Sequence, residues 1–227
     1  AGSRPHAWRI GVPRPEQLEF WGDEDAARLY ERSLQRLDGL GAARHEIDLE
    51  PFLEAGQMLF GSALVAERWV SFGHVLEAHP EAVHPAVRAA LEPARWHDAV
   101  DAFRALRRLE TLRRLTAPVW EGIDALVLPT CATVPRWADV QADPLAMNAR
   151  MGRYTYFANP LGLCAISVPA GLRADGLPFG LSLLAPRGHE QCLRPWAQAL
   201  QAFEGARLGA TPHAMPDAAS SLRPLSV

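Results

Sequence analysis

The sequence contains no lysine: all 23 of its basic residues are arginine. Arginine stays protonated at any working pH, so it can serve neither as a Schiff-base amine nor as a general base. Every mechanism that needs a lysine is therefore excluded for these 227 residues acting alone. Cysteine is scarce as well. Cys131, Cys164 and Cys192 are an odd number at wide spacing, with no C-x-x-C pair for zinc or dithiol chemistry, and they read as buried thiols. Neither sign of charge dominates. The net charge of −3 supplies no long-range field to draw in nucleic acid. No apolar run approaches the ~18–20 residues that span a bilayer, and the first residues lack the order of a signal peptide, so no membrane partner and a cytoplasmic location are expected. The glycine-rich phosphate and dinucleotide loops and the G-x-S-x-G nucleophile elbow are absent too.

What is present suits a folded α/β domain. Hydrophobic residues make up 48% of the chain and charged residues 22%, enough to close a core. Trp8 to Pro13 reads as a short strand, residues 24–40 as a helix with acid in its first turn and Gly39 and Gly41 at its end, and residues 45–49 as a second strand. That β-α-β order predicts a partly parallel sheet. Residues 51–78 are helical in pattern, and prolines at 80, 85 and 93 then cut the chain into short helices. Between residues 98 and 120, apolar groups recur every third position and drift around a 3.6-residue helix, which predicts contact on several sides. The arginines at 104, 107, 108, 113 and 114 on it read as snorkelling stems rather than a basic patch. Residues 123–128 form an apolar run that suits a strand buried on both faces. Asp143 and Pro144 are placed to cap and start a helix. Residues 164–169 and 179–184 read as an antiparallel hairpin around Ala174-Asp175-Gly176, residues 190–203 as a last helix, and residues 213–227 as a flexible tail. Residues 1–212 are taken as one unit, with no internal repeat.

Few side chains stand out for chemistry. His74, His79 and His84 are five apart, a poor spacing for one metal ion on a helix, and no metal site is expected. Ser220-Ser221 is the one tandem serine and lies in the expected tail. Cys131 has no neighbouring base and reads as a buried thiol rather than a nucleophile. Arg150 and Tyr154 have the i,i+4 spacing that puts a guanidinium and a phenol on one helical face, where they could hold a small carboxylate, while Arg153 would point elsewhere. Taken by itself, that pair reads more plainly as a surface or helix-capping pair.

Three stretches together carry a resemblance. They are Asp124-Ala125-Leu126-Val127-Leu128-Pro129-Thr130, then Asn159-Pro160-Leu161-Gly162-Leu163-Cys164-Ala165-Ile166-Ser167-Val168-Pro169-Ala170-Gly171, and Asp175-Gly176-Leu177-Pro178-Phe179-Gly180-Leu181. They resemble the C-terminal half of the amidase signature enzymes. Gly22-Asp23, Pro51-Phe52-Leu53-Glu54-Ala55, Val65-Ala66-Glu67-Arg68, Ala142-Asp143-Pro144 and the stretch from Asn148 through Arg150 to Tyr154 and Thr155 resemble the allophanate hydrolase branch. The resemblance runs from about residue 8 to residue 205. It implies an α/β fold with a mixed sheet flanked by helices, no metal or organic cofactor, and amide hydrolysis by a Ser-Ser-Lys triad. That triad belongs to a lysine-containing half that precedes the matched motifs, so no catalytic residue is assigned within this chain, and the chain alone is expected to be inactive.

The resemblance also implies a pocket wall. Thr130 and Cys131 would form the loop after the buried strand, and Arg150 and Tyr154 would face the anionic end of a small-molecule amide or ureido carboxylate. In the complete enzyme that substrate would be urea-1-carboxylate, hydrolysed to ammonia and carbon dioxide. One stretch departs from the pattern. Thr133-Val134-Pro135-Arg136-Trp137 has no tyrosine where the allophanate branch is expected to place one, which points to a related amide. Two other readings are compatible with the residues. One is another amidase branch, either a general amidase or an amidotransferase subunit. The other is a non-catalytic assembly subunit whose open sheet edge pairs with a separate N-terminal chain or with a second copy of itself.

Overall fold

A computed structural model describes residues 8–203 and His213. Its centre is a five-stranded mixed sheet in the order β2-β1-β3-β5-β4. Strand β1 (Arg9–Pro13) is followed by helix α1 (Glu24–Gly39) and strand β2 (Ala43–Ile47), the parallel β-α-β unit expected from the sequence. Asp23 caps α1 by accepting a hydrogen bond from the Ala26 amide at 3.0 Å, and Gly41 ends the turn behind it at a φ of 92°. Strand β3 (Ala125–Pro129) runs parallel to β1 on one side and antiparallel to β5 (Pro178–Pro186) on the other, and β5 forms a hairpin with β4 (Leu163–Leu172). The last helix, α9 (Glu190–Phe203), packs back on the hairpin.

All five residues of β3 are buried, and its side chains alternate between two cores. Ala125 and Val127 point into one, with Ile10, Tyr30, Leu37, Leu183 and Leu193 under α1 and α9. Leu126 and Leu128 point into the other, with Phe52, Leu53, Leu112 and Phe157 under α2 (Glu50–Gly61) and α5 (Ala99–Thr116). The continuous apolar run at residues 123–128 is thus what a strand covered on both faces requires.

Two helical expectations are corrected. The pattern over 51–78 breaks at Ser62, whose backbone is extended and whose hydroxyl donates to the Met58 carbonyl at 2.7 Å and accepts from the Leu64 amide at 3.3 Å. This serine competes with the helix for backbone partners, and α3 (Ala66–Ala78) starts again beyond it. The second correction concerns α5. It is not contacted on several sides: Ala105, Leu109, Leu112 and Thr116 make one buried stripe, while Val100, Phe103, Leu106 and Leu115 stay exposed. The inward face uses small and hydroxyl residues that a count of large apolar groups passes over. Its arginines stay on the surface. Arg108 pairs with Glu54 of α2, and Arg113 Nε donates to the Pro160 carbonyl at 2.9 Å.

Short helices complete the second layer: α4 (Pro85–Leu91), α6 (Val119–Gly122), α7 (Trp137–Ala142) and α8 (Pro144–Gly152). Asp143 caps α8 ahead of Pro144, as the sequence predicts. His84 caps α4 by accepting from the Ala86 amide at 3.2 Å. No helix among the described residues is long and apolar enough to cross a membrane. Because Leu126 is fully buried where the sheet meets α2 and α5, Leu126→Ala should cost about 2–5 kcal/mol in chemical denaturation.

Candidate functional site

Strands β1 and β3 are parallel, so their C-terminal ends open on the same side, where binding loops of α/β sheets gather. The loop after β1 is pinned by side chains. Gln17 Oε1 accepts from the Leu49 amide at 2.8 Å, and the Tyr154 hydroxyl accepts from the Glu19 amide at 2.7 Å and donates to the Glu19 carbonyl at 3.2 Å. Glu19 in turn accepts from the Trp21 amide at 2.7 Å through its carboxylate. Trp21 is held at a φ of 48°, a region that an L residue with a bulky side chain enters only under constraint.

The loop after β3 begins at Thr130, whose amide donates to the Gly180 carbonyl at 2.9 Å. Its hydroxyl lies 2.6 Å from Ser167 Oγ and 2.8 Å from Ser182 Oγ, so three hydroxyls form one chain that ends at exposed Ser167. Gly180 lets the hydroxyls approach closely: a Cβ there would lie 3.0 Å from Thr130 Oγ1 and press on it. The Cys131 thiol donates to the Thr133 carbonyl at 2.9 Å, and burial pushes its pKa up, away from the thiolate a nucleophile needs.

Asp23 ties the two loops together. One carboxylate oxygen caps α1; the other accepts from Thr133 Oγ1 at 3.0 Å and pairs with Arg173 at the end of the β4–β5 hairpin. Arg173 also reaches Asp175 at 3.3 Å, and the Ala174 amide donates to Asp25 at 2.8 Å. Hydrogen bonds thus join α1, the loop after β3 and the hairpin in one network.

Two cavities flank the network. One, of about 440 Å³, is lined by Thr130, Cys131, Thr133, Ser167, Arg173 and Phe179. The other, of about 310 Å³, lies between α2 and α8 and is lined by Trp21, Leu53, Phe60, Arg150, Arg153 and Tyr156. A shallow polar notch with Trp21, Asp23, Thr133 and Arg173 in its walls joins them.

The four residues singled out in the sequence therefore divide. Thr130 and Cys131 line one cavity and Arg150 the other. Tyr154 does not share a helical face with Arg150: α8 ends at Gly152, and Tyr154 turns into the core, fully buried, with its hydroxyl engaged by the Glu19 backbone. Arg153, expected to point elsewhere, lines the cavity with Arg150: the two are three residues apart, a spacing that brings side chains to one face, and the Arg153 backbone keeps right-handed helical angles (φ −46°, ψ −45°). The i,i+3 spacing of Arg150 and Arg153 is the signal that could have shown this. Gly152 leaves room for the Tyr156 ring, which a Cβ there would overlap.

Arg150 sits 5.6 Å from the centre of the Trp21 ring and Arg153 5.8 Å from that of Tyr154. Among the described residues neither has a carboxylate within salt-bridge distance. Arg153 donates a long bond, 3.4 Å, to the Gln17 carbonyl, and its Nε is buried without a partner. Ser167, Ser182 and Arg173 were not singled out in the sequence, since nothing local marks them. No group of three metal-ligating side chains occurs among the described residues, and Ser220-Ser221 lies outside them.

The amidase family's sequence profile matches residues 1–193. This chain belongs to the amidase family. It is 33% identical over 180 residues to urea amidolyase of Saccharomyces cerevisiae and 31% identical over 180 residues to urea amidolyase of Lachancea kluyveri. Each alignment covers 78% of this chain and 10% of the relative. Allophanate hydrolase of Kluyveromyces lactis superposes with a TM-score of 0.86 at 27% identity, covering 92% of this chain and 35% of that one. This amidase-family chain thus spans about a tenth of the urea amidolyases and about a third of the solved hydrolase. Its mixed sheet flanked by helices is the amidase signature fold expected from the motifs.

Of the three thiols expected to be buried, Cys192 is exposed at the start of α9, and Cys131 and Cys164 are half-buried. Iodoacetamide at neutral pH should alkylate exposed Cys192 first, with Cys131 and Cys164 lagging because burial raises both of their pKa values. Peptide mass spectrometry over a time course reads the order, and Cys131 reacting first would mark it as an activated nucleophile.

Proposed function

We propose that this chain is the substrate-recognising part of a C–N hydrolase whose substrate is a small amide bearing a carboxylate, the class to which urea-1-carboxylate belongs. The observation that carries the reading is the pair Arg150 and Arg153. Two half-buried guanidiniums open on one cavity with no carboxylate of the described residues to neutralise them. A cation partly withdrawn from water without a counter-ion is costly, and an anionic ligand repays that cost with charge-assisted, bidentate hydrogen bonds. The similarity to urea amidolyases and to a solved allophanate hydrolase supports the same class of substrate.

In this reading Arg150 and Arg153 hold the carboxylate. Tyr154 positions the site indirectly, by fixing the Glu19 turn that sets Trp21 against Arg150. Thr130, Cys131 and the hydroxyl chain to Ser167 wall the neighbouring cavity, where Ser167 can donate to or accept from an amide. A serine and a lysine from a segment outside these residues carry the covalent step and the proton transfers, since this chain has no lysine. Binding and orientation alone lower the chemical barrier little, so the chain by itself should not turn substrate over.

Purified residues 1–227 should release no ammonia from urea-1-carboxylate or from a panel of carboxylate-bearing amides. Joined to an amidase segment that carries the Ser-Ser-Lys triad, they should release ammonia from at least one carboxylate-bearing amide of that panel, and Arg150→Gln in that complete enzyme should raise the KM for it about tenfold or more through loss of a charge-assisted pair. Ammonia release by the chain alone would overturn the division of labour. An unchanged KM in the variant would remove Arg150 from the carboxylate site.

A further inference from the structure

The cavity between α2 and α8 has walls that say more about its ligand than the charge does. Apart from the two guanidiniums and Gln57 at the solvent edge, they are the rings of Trp21, Phe60 and Tyr156 with small or aliphatic groups such as Leu53. Little hydrogen-bonding capacity is left for the body of a ligand. The Tyr156 hydroxyl is already occupied: it accepts from Asn148 Nδ2 at 2.5 Å and donates to the Asn148 carbonyl at 2.9 Å. The remaining polar side chain of the lining, Gln57, is exposed to solvent. The indole of Trp21 is set in advance, because its backbone is held at positive φ by the Glu19 carboxylate and the Tyr154 hydroxyl behind it. Arg150 lies over that ring, its guanidinium carbon 5.6 Å from the ring centre, without a carboxylate partner among the described residues.

We propose that this cavity selects carboxylates with a flat, apolar body, such as an aryl carboxylate, over ureido carboxylates. The proposal rests on the assignment of Arg150 and Arg153 to a carboxylate and narrows the class of amide they serve. A ureido group brings N–H donors and a carbonyl that must leave water. Against these walls they would face rings and find almost no partners, which costs the full desolvation of each group. An aryl body loses nothing of that kind and gains stacking and apolar contact with Trp21, Phe60 and Tyr156. The volume of about 310 Å³ lies at the small end of the ~300–1,000 Å³ typical of ligand sites, room for a ring and its carboxylate rather than for an extended molecule.

The test is equilibrium binding to the full chain by calorimetry, with benzoate, N-carbamoylglycine and uncharged benzamide as probes. Benzoate should bind about tenfold more tightly than N-carbamoylglycine. Arg150→Met and Arg153→Met should each weaken both carboxylates, whereas Trp21→Ala should weaken benzoate and leave N-carbamoylglycine unchanged. Phe60→Ala, at the opposite wall, repeats the second comparison should the Trp21 variant not fold by circular dichroism. Equal affinity for the two carboxylates, or a preference for N-carbamoylglycine, overturns the selection for an apolar body and leaves the carboxylate site standing. No saturable binding of either carboxylate, binding unmoved by both arginine substitutions, or benzamide binding as well as benzoate overturns the carboxylate site itself.

Discussion

The burial of β3 on both faces is the constraint from which the rest of the molecule follows. A strand with no exposed side chain needs a layer of helices on each side, so α1 and α9 must cover one face and α2 and α5 the other. With both faces closed, the polar chemistry of the sheet is confined to its ends. The Thr130 hydroxyl chain forms where β3 emerges, and Trp21 and Asp23 lie on the loop that leaves the parallel strand beside it.

The electrostatics of the two cavities differ in a way that suits separate tasks. Around Thr130 and Cys131 the charges are internally matched: Asp23 neutralises Arg173 and fixes Thr133, so that wall is preorganised and locally neutral. Around Trp21 the positive charge of Arg150 and Arg153 is left open. A low-dielectric wall with unsatisfied donors discriminates strongly between ligands that can and cannot satisfy them, because the penalty for a missing partner exceeds the net gain of an ordinary hydrogen bond.

Much of this was legible in the residues. The β-α-β unit, the doubly buried strand, the acidic first turn of α1, the cap at Asp143, the hairpin around Asp175-Gly176 and the last helix each rest on local chemistry that a short window carries, and the structure has them. The failures share a physical cause. Helix α5 was misread because burial there falls on Ala105 and Thr116, whose place in the core depends on what α2 presents to them. Arg150 and Tyr154 do not pair, because i,i+4 spacing assumes an uninterrupted helix and α8 ends at Gly152.

The sequence by itself determined the mixed α/β fold, membership of the amidase family and the absence of any lysine base, since hydrophobic period, turn chemistry and residue identity are properties of the chain read in order. Only the tertiary structure decided that Tyr154 turns into the core, that Asp23 binds Arg173 and Thr133 across more than a hundred residues, and that the rings of Trp21, Phe60 and Tyr156 meet in the wall of the charged cavity. Those facts depend on which distant segments meet. Contact between segments far apart in sequence is set by how the whole core closes, and no local spacing encodes it.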